Sequence, residues 1–361
     1  MKRGKVWKGV RRIVSLYGVT MILVLSCAAC SSKQHQHVWE ERYIVATQAQ
    51  DQGDFEAAEA HYTQLVKHAP DEERRAAAAF KQATLFEERG EFERALEAYE
   101  ALYSSEIDPQ SEAGEYQARA IYRAARLQQD RFGDEARAEA LFIELLRHHG
   151  KWVAAEHALA LLERRYVAQM GEEGARDQLS SYLQESQGTP LYGHILFTLA
   201  RLSGSDHERA IAYYDQVLEH EVNASLWDDA LWEKGARQVK MRDWDAALAT
   251  YERLATAFQE ESWFIGDYTS EHADDARLER GRIYLEELGQ PLKAVEEYER
   301  FLSDFEYNRS RDDAAWMRLQ ALKAANAYEL YEEGVQEFVE SYPESRYVRQ
   351  IPGARAEQEA P

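Results

Sequence analysis

Few residues in this chain have the types and spacing that chemistry requires. The two cysteines, Cys27 and Cys30, stand three positions apart. A Cys-x-x-Cys pair can cycle as a dithiol or supply half of a tetrahedral zinc site. The sequence holds no second pair to complete such a site. From residue 31 onward it has no thiol for a disulfide framework or a nucleophile. His148 and His149 are adjacent, so on a helix they point about 100° apart and cannot easily share a metal. His35-Gln36-His37 lies in a polar stretch and would hold a metal only weakly. The sequence contains no phosphate-cradling glycine loop, nucleophile elbow or His-Glu-x-x-His. Its 65 acidic residues generate carboxylate pairs by chance, so pairing alone is no sign of a glycosidase. The expectation is a protein that is not an enzyme, with no catalytic residue, cofactor, metal or small-molecule substrate.

Charge narrows the partners. The net charge is −22 over 361 residues. Residues 1–29 carry six basic residues and no acid, so setting their charges aside takes the remainder to −28. Such a body repels phosphate backbones and excludes a nucleic-acid partner. The basic stretch Met1–Arg12 is followed by the uncharged, apolar run Ile13–Ser26, the layout of a secretory signal. Val24-Leu25-Ser26-Cys27 resembles the lipobox of bacterial lipoproteins, in which a small residue precedes a cysteine that is diacylated. Cys30, after Ala28-Ala29, is the alternative acceptor. Neither cysteine is followed by Asp, so the resemblance implies an outer-membrane destination and attachment to the membrane through an N-terminal lipid. An uncleaved anchor is the competing reading, because Ile13–Cys30 gives 18 uncharged residues, the short end of a bilayer span. Residues 31–38 then form a tether.

The elements that follow repeat. A small residue, an aromatic four later and an apolar residue three after that recur along the chain. Strong copies are Ala58–Tyr62–Leu65, Ala95–Tyr99–Leu102, Ala247–Tyr251–Leu254 and Ala294–Tyr298–Phe301. Weaker ones are Ala138–Phe142–Leu145, Ala210–Tyr214–Val217, Ala175–Leu179–Tyr182 and Gly334–Phe338. The intervals between the small residues are 37, 43, 37, 35, 37, 47 and 40. Spacings of four and three put each triad on one helix face, and a period near 35–37 is that of a helix–turn–helix repeat. One unit cannot bury that face alone, so units must stack.

The first helix of each later unit has its own pattern: Asp228-Asp229-Ala230 running to Gly235, Asp274-Asp275-Ala276 to Gly281, and Asp312-Asp313-Ala314 to Leu319. The acidic pair stands where a helix begins and is expected to cap it and favour its dipole. Ala and Gly are expected to admit a close partner helix. Pro291 fits the first turn of a helix.

With Tyr342-Pro343-Glu344-Ser345, these motifs resemble the tetratricopeptide-like (TPR-like) repeats of BamD-type outer-membrane assembly lipoproteins and of periplasmic TolA-binding proteins. The match is best over residues 225–345. The resemblance implies an all-α, right-handed TPR-like solenoid of about seven to eight repeats over residues 39–346, with a C-terminal tail at 347–361. It also implies a lipid-anchored scaffold that binds an envelope protein from the periplasmic side.

Candidate contacts follow from that architecture. The first helices of the units line the concave face of a solenoid, which singles out Arg119, Tyr122, Trp232, Lys234, Arg277 and Arg280. The insertion Gln259–Glu271 carries Trp263, Phe264, Ile265 and Tyr268, either a plug under the neighbouring unit or an anchor for a partner. The stretch Tyr103–Gly114 is read as a solvated turn. Two other readings stay open: a purely architectural part of an envelope complex, and the glycan-binding solenoid of a peptidoglycan-acting enzyme.

Overall fold

The structure, a computed structural model, describes residues 37–219, 226–261 and 272–351. Among them, every regular element is helical. The first helix, α1, spans residues 37–51. It is followed by α2 (Phe55–Lys67), α3 (Glu72–Glu88), α4 (Phe92–Tyr103), α5 (Glu112–Leu127) and α6 (Glu135–His148). Then come α7 (Val153–Ser180), broken at Gly171, the single turn α8 (Leu183–Ser186), α9 (Pro190–Arg201) and α10 (His207–Glu219). The series ends with α11 (Trp227–Lys240), α12 (Trp244–Glu261), α13 (Ala273–Arg282), α14 (Pro291–Asp304), α15 (Arg311–Ala324) and α16 (Tyr328–Ser341). With the two halves of α7 counted as one pair, the described residues form eight helix pairs. No described helix is long and apolar enough to cross a membrane. The segment Ile13–Cys30 lies outside the described residues.

One turn design joins the two helices of each pair. The first helix ends on a residue with positive φ: Gly53, Gly90, Gly133, Gly171, Gly204, Arg242, Gly289 and Asn326 in order. At Gly90 the backbone closes with Gly90 N–H on Glu87 O and Glu91 N–H on Phe86 O, which uses carbonyls the helix end leaves free. The residue that caps the second helix follows at once, or one residue later after Gly204, where Asp206 accepts from Arg209 N–H at 3.1 Å. Asp54, Asp134 and Asp243 accept the backbone N–H three residues on, at 3.1, 2.9 and 3.2 Å. Pro291 sits in the first turn of α14, as expected.

The triads form the core. All seven small alanines are fully buried, and so are Tyr62, Tyr99, Tyr214 and Tyr298. The weak copies, Leu179–Tyr182 and Phe338, are buried as completely as the strong ones. The glycines of the first helices do what their spacing suggests. A Cβ on Gly235 would lie 2.5 Å from the Tyr251 ring, and one on Gly281 would lie 2.3 Å from the Tyr298 ring. The aromatic of the second helix therefore rests directly on the backbone of the first.

The chain divides into two compact units, residues 1–165 with 184–191, and 166–183 with 192–361. In the first, the core opens at Trp39, whose Nε1 donates to Leu65 O at 3.1 Å. Polar links about one repeat apart tie successive pairs: Arg74 to Glu40, Arg89 to Glu59 and Arg123 to Glu87.

The stretch after α4 is largely exposed, as expected of a solvated turn, but its backbone is also tied down by side chains. Gln117 Nε2 donates to Tyr103 O and Ser105 O at 2.9 and 3.0 Å. Lys151 Nζ donates to Gln110 O at 2.7 Å and Trp152 Nε1 to Pro109 O at 2.8 Å. Four side-chain hydrogen bonds to its carbonyls hold this segment in place, because its backbone lacks the partners a helix or strand would provide.

In the second unit the acidic pairs do not cap. None of α11, α13 or α15 has a side-chain cap bond. The carboxylates reach instead to the segment that follows the pair. Asp229 meets His272 at 3.0 Å, Asp274 accepts from Asn308 at 2.5 Å, and Asp312 accepts from Ser345 at 2.8 Å. Asp313 accepts from Arg346 and from the Tyr347 hydroxyl, both at 2.6 Å. Inside the first turn the acids still face a favourable dipole, but their partners lie 33 to 43 residues downstream. The fold also runs past 346. Val348 and Ile351 are buried in the cluster around Leu319, Leu322 and Phe338, and Tyr347 stacks on Trp316 at 5.0 Å and 7°. Two apolar residues on a short turn cover a face that would otherwise meet water. The rest of the expected tail, 352–361, lies outside the described residues.

Candidate partner-binding groove

In the first unit, α3, α5 and the start of α7 are the first helices of three successive pairs. Their outward faces border a groove of about 660 Å³. Arg119 and Tyr122 stand in it, as the placement on first helices suggested. Around them are Phe80 and Lys81 from α3, and Trp152 and His157 at the head of α7. Residues 80, 84 and 88 of α3 and 115, 119 and 122 of α5 all line the groove. These are spacings of four and three, the signature of one helix face.

Contacts hold the groove side chains. The Arg119 guanidinium lies 4.6 Å from the Phe80 ring centre and 5.6 Å from that of Tyr116. Its Nη1 is 3.7 Å from Glu115, a loose pair with both side chains nearly half exposed. Exposed pairs of this kind contribute about 0–1 kcal/mol, so the stacking does more to set the orientation of Arg119. The Tyr122 ring sits 6.0 Å from Phe142 and 5.7 Å from His157. Arg123 and Tyr99 converge on Glu87, at 3.1 and 2.9 Å. Burial, followed by the Glu87 charge, raises the Tyr99 hydroxyl pKa, so it stays protonated and donates. The result is a surface of half-buried rings with guanidinium, ammonium and carboxylate groups among them. Such a surface can take apolar side chains and one or two carboxylates of an extended chain.

The other candidates lie elsewhere. Trp232 is half-buried and stacks on His272, with centroids 5.3 Å apart and planes 5° apart, and it packs against Tyr251. Lys234 Nζ donates to Asp215 at 2.5 Å. Arg277 and Arg280 point inward, with only 2 % and 7 % of their surfaces exposed. Arg277 Nη1 donates to Glu252 and Glu297 at 3.0 and 3.2 Å. Arg280 forks onto Glu297 at 2.7 and 3.1 Å and donates to Leu248 O. Burial works to raise the Glu297 carboxyl pKa, but the Arg280 and Arg277 guanidiniums outweigh it and hold it below the usual range. These two arginines are internal cations that lock α12, α13 and α14 together. Cys27, Cys30, Trp263, Phe264, Ile265 and Tyr268 lie outside the described residues.

Sequence reasoning missed Phe80, Lys81, Trp152 and His157. The signal was present in α3 as the i, i+4, i+8 row Phe80, Thr84 and Glu88, which lines the groove although Phe80 also packs on Tyr99 of α4.

The tetratricopeptide repeat family matches residues 46–112, which take in α2, α3 and α4. No curated protein matches the chain. Among solved structures, a tetratricopeptide repeat protein of Parabacteroides merdae is 14 % identical, with 79 % of this chain and 98 % of that one covered and a TM-score of 0.31. The C-terminal part of a TPR repeat-containing protein of Cytophaga hutchinsonii is 11 % identical, covering 75 % and 98 %, with a TM-score of 0.43. The TPR2AB domain of yeast Sti1, in its complex with pHSP90, is 14 % identical, covering 79 % and 99 %, with a TM-score of 0.30. The assignment rests on the family match together with the eight helix pairs, their shared turn and their buried triads: the chain is an all-α protein of the tetratricopeptide repeat class.

Proposed function

We propose that this protein is a lipid-anchored scaffold of the bacterial envelope, without catalytic activity, whose first unit grips a segment of a protein partner. The groove between α3, α5 and α7 carries this reading. It combines the half-buried rings of Tyr122 and Trp152 with Arg119 and Lys81, beside Glu88 and Glu115, on a body whose charge is strongly negative. Repeat scaffolds bind across the faces of successive units, and aromatic and arginine side chains supply most of the energy at such surfaces.

The anchor is the second part of the proposal. Its support is the basic, apolar and small-residue succession ending at Cys27 and Cys30. An outer-membrane site with the body in the periplasm and a role in outer-membrane protein assembly are the finer form of the reading. They rest on the repeat motifs over 225–345 and on the absence of Asp after either cysteine.

Site-specific photo-crosslinking in cells tests the scaffold. A crosslinker at position 119 or 122 should capture one protein partner, and Arg119→Glu should abolish that capture. Barrel-assembly proteins among the captured species would support the finer reading. Capture of Tol–Pal or division proteins would replace it. Failure to capture any protein from groove positions would sink the groove assignment, and glycan-strand cleavage by the purified body would sink the non-enzymatic one. Mass spectrometry of the mature N-terminus tests the anchor: diacylated Cys27 or Cys30 is expected, and an unmodified Met1 would overturn it.

A further inference from the structure

The interval between Ala95 and Ala138 is 43 residues, six more than the commonest interval of 37. Part of the extra length is the segment between α4 and α5, eight residues against four between α2 and α3, and four side-chain bonds hold it in place. It forms one wall of a cavity of about 570 Å³, whose other walls are α5 and the exposed side of α6. The size is ordinary for a small-ligand site. Ile107, Ile121 and Leu141 supply an apolar floor.

The polar groups of this cavity are unevenly satisfied. His149 is 3 % exposed, yet its Nδ1 has no hydrogen-bond partner. A buried ring nitrogen left this way costs about 1–3 kcal/mol, which a ligand can recover. Burial, followed by the neighbouring His148, pushes the His149 pKa down to about 4, so near neutrality the ring is uncharged and keeps an acceptor nitrogen. Arg137 lines the cavity with its Nη2 on the Tyr103 hydroxyl at 3.2 Å. It makes no ion pair among the described residues, and the Tyr103 hydroxyl it holds donates to Glu100 at 3.3 Å. Glu144 lines the same cavity two turns further along α6, and its one ion pair among the described residues is with the exposed His148 at 3.9 Å.

These charges are ordered along the helix. Arg137 and Glu144 are seven residues apart, about 10.5 Å of helix rise. His149 follows at the Glu144 end. A three-residue extended peptide spans about 10–11 Å.

We propose that this cavity binds short zwitterionic peptides of about three residues, with the carboxylate on Arg137 and the ammonium on Glu144 and His149. The apolar floor takes small aliphatic side chains. The partner groove lies on other faces of the unit, and neither assignment depends on the other.

Calorimetric titration of the full chain with trialanine tests this, with amide spectra to locate the site. Trialanine should bind and shift the resonances of Gln117, Leu141 and His149. Trialanine amide and N-acetyl-trialanine should each bind at least tenfold more weakly. Arg137→Gln should weaken trialanine at least tenfold while costing trialanine amide little more. Glu144→Gln should show the mirror pattern with N-acetyl-trialanine. Both substituted positions are exposed, and unchanged circular dichroism would confirm that the variants fold. No trialanine binding up to millimolar concentration would overturn the proposal. So would affinity indifferent to both end-blocks, or shifts confined to Arg119 and Tyr122. Equal losses for all three peptides in both variants would mean that Arg137 and Glu144 shape the cavity without recognising the ends.

Discussion

Arg242 stands where six of the other seven turns place glycine, with φ at 59°. A left-handed conformation costs an L-residue about 1–2 kcal/mol, which glycine avoids at some entropic expense. Arg242→Gly should therefore raise stability by roughly 1 kcal/mol, read as a higher urea midpoint with an unchanged slope. An unchanged or lower midpoint would show that the arginine side chain compensates for the strain. His149 gives a second expectation at this scale. Its ordinary pKa of 6.5 falls to about 4 in the fold. Above 6.5 the ring is neutral in both states and the full stability is present. Below 6.5 the unfolded chain takes the proton first, so stability is lost as the pH falls towards 4, by up to about 3 kcal/mol. Urea midpoints at pH 7.5 and 4.5 should differ more for the native protein than for His149→Gln, and equal differences would mean that His149 titrates normally. Of the groove residues, Arg119 and Tyr122 were legible from position alone. Arg277 and Arg280 were misread because charged residues on a helix are ordinarily exposed. Their partner Glu297 comes from another helix, 20 and 17 residues on, and no local pattern reveals that pairing.

At the scale of elements, the helix pairs were almost fully legible. Their cores depend on spacings of four and three, which a sequence displays directly. The connections were not. The carboxylates of Asp229, Asp274, Asp312 and Asp313 had a local use as caps, and they took distant partners that recur about one repeat later. The segment after α4 looked polar because its hydrogen bonds come from side chains of α5 and of the turn before α7. The last turn, with Tyr347, Val348 and Ile351, carries no triad and read as a tail. That misreading can be tested. A chain ending at residue 346 loses the two buried aliphatic side chains and the ring stacked on Trp316. Burial of each aliphatic is worth about 1.5–3 kcal/mol, so α15 and α16 should lose local stability by about 3–6 kcal/mol. Hydrogen exchange in α15 and α16 should then approach that of an unfolded segment. Native protection in the shortened chain would show that the turn adds nothing.

Across the whole molecule, a repeat protein differs from a single-core domain in how far a local fault travels. Within each unit, helix pairs pack against their neighbours in sequence, as α2 on α3, α4 on α5 and α12 on α13 do, so stability is approximately a sum of pair and interface contributions. Gly281 offers a clean fault. An added Cβ would lie 2.3 Å from Cε1 and 2.5 Å from Cζ of Tyr298, a ring with no exposed surface into which to swing. Overpacking of this kind costs about 1–3 kcal/mol, against about 1 kcal/mol gained by replacing a helical glycine with alanine. Gly281→Ala should therefore be destabilising, and the damage should stay local. Exchange should speed up in α12, α13 and α14, which share the Arg277–Glu297–Arg280 lock, while α2 to α5 keep native protection. Uniform acceleration along the chain would mean that the repeats unfold as one cooperative body, and the sum-of-neighbours description would fail. If the local pattern holds, a fault in α13 also leaves the partner groove intact. Gly281→Ala should then still crosslink its partner from positions 119 and 122.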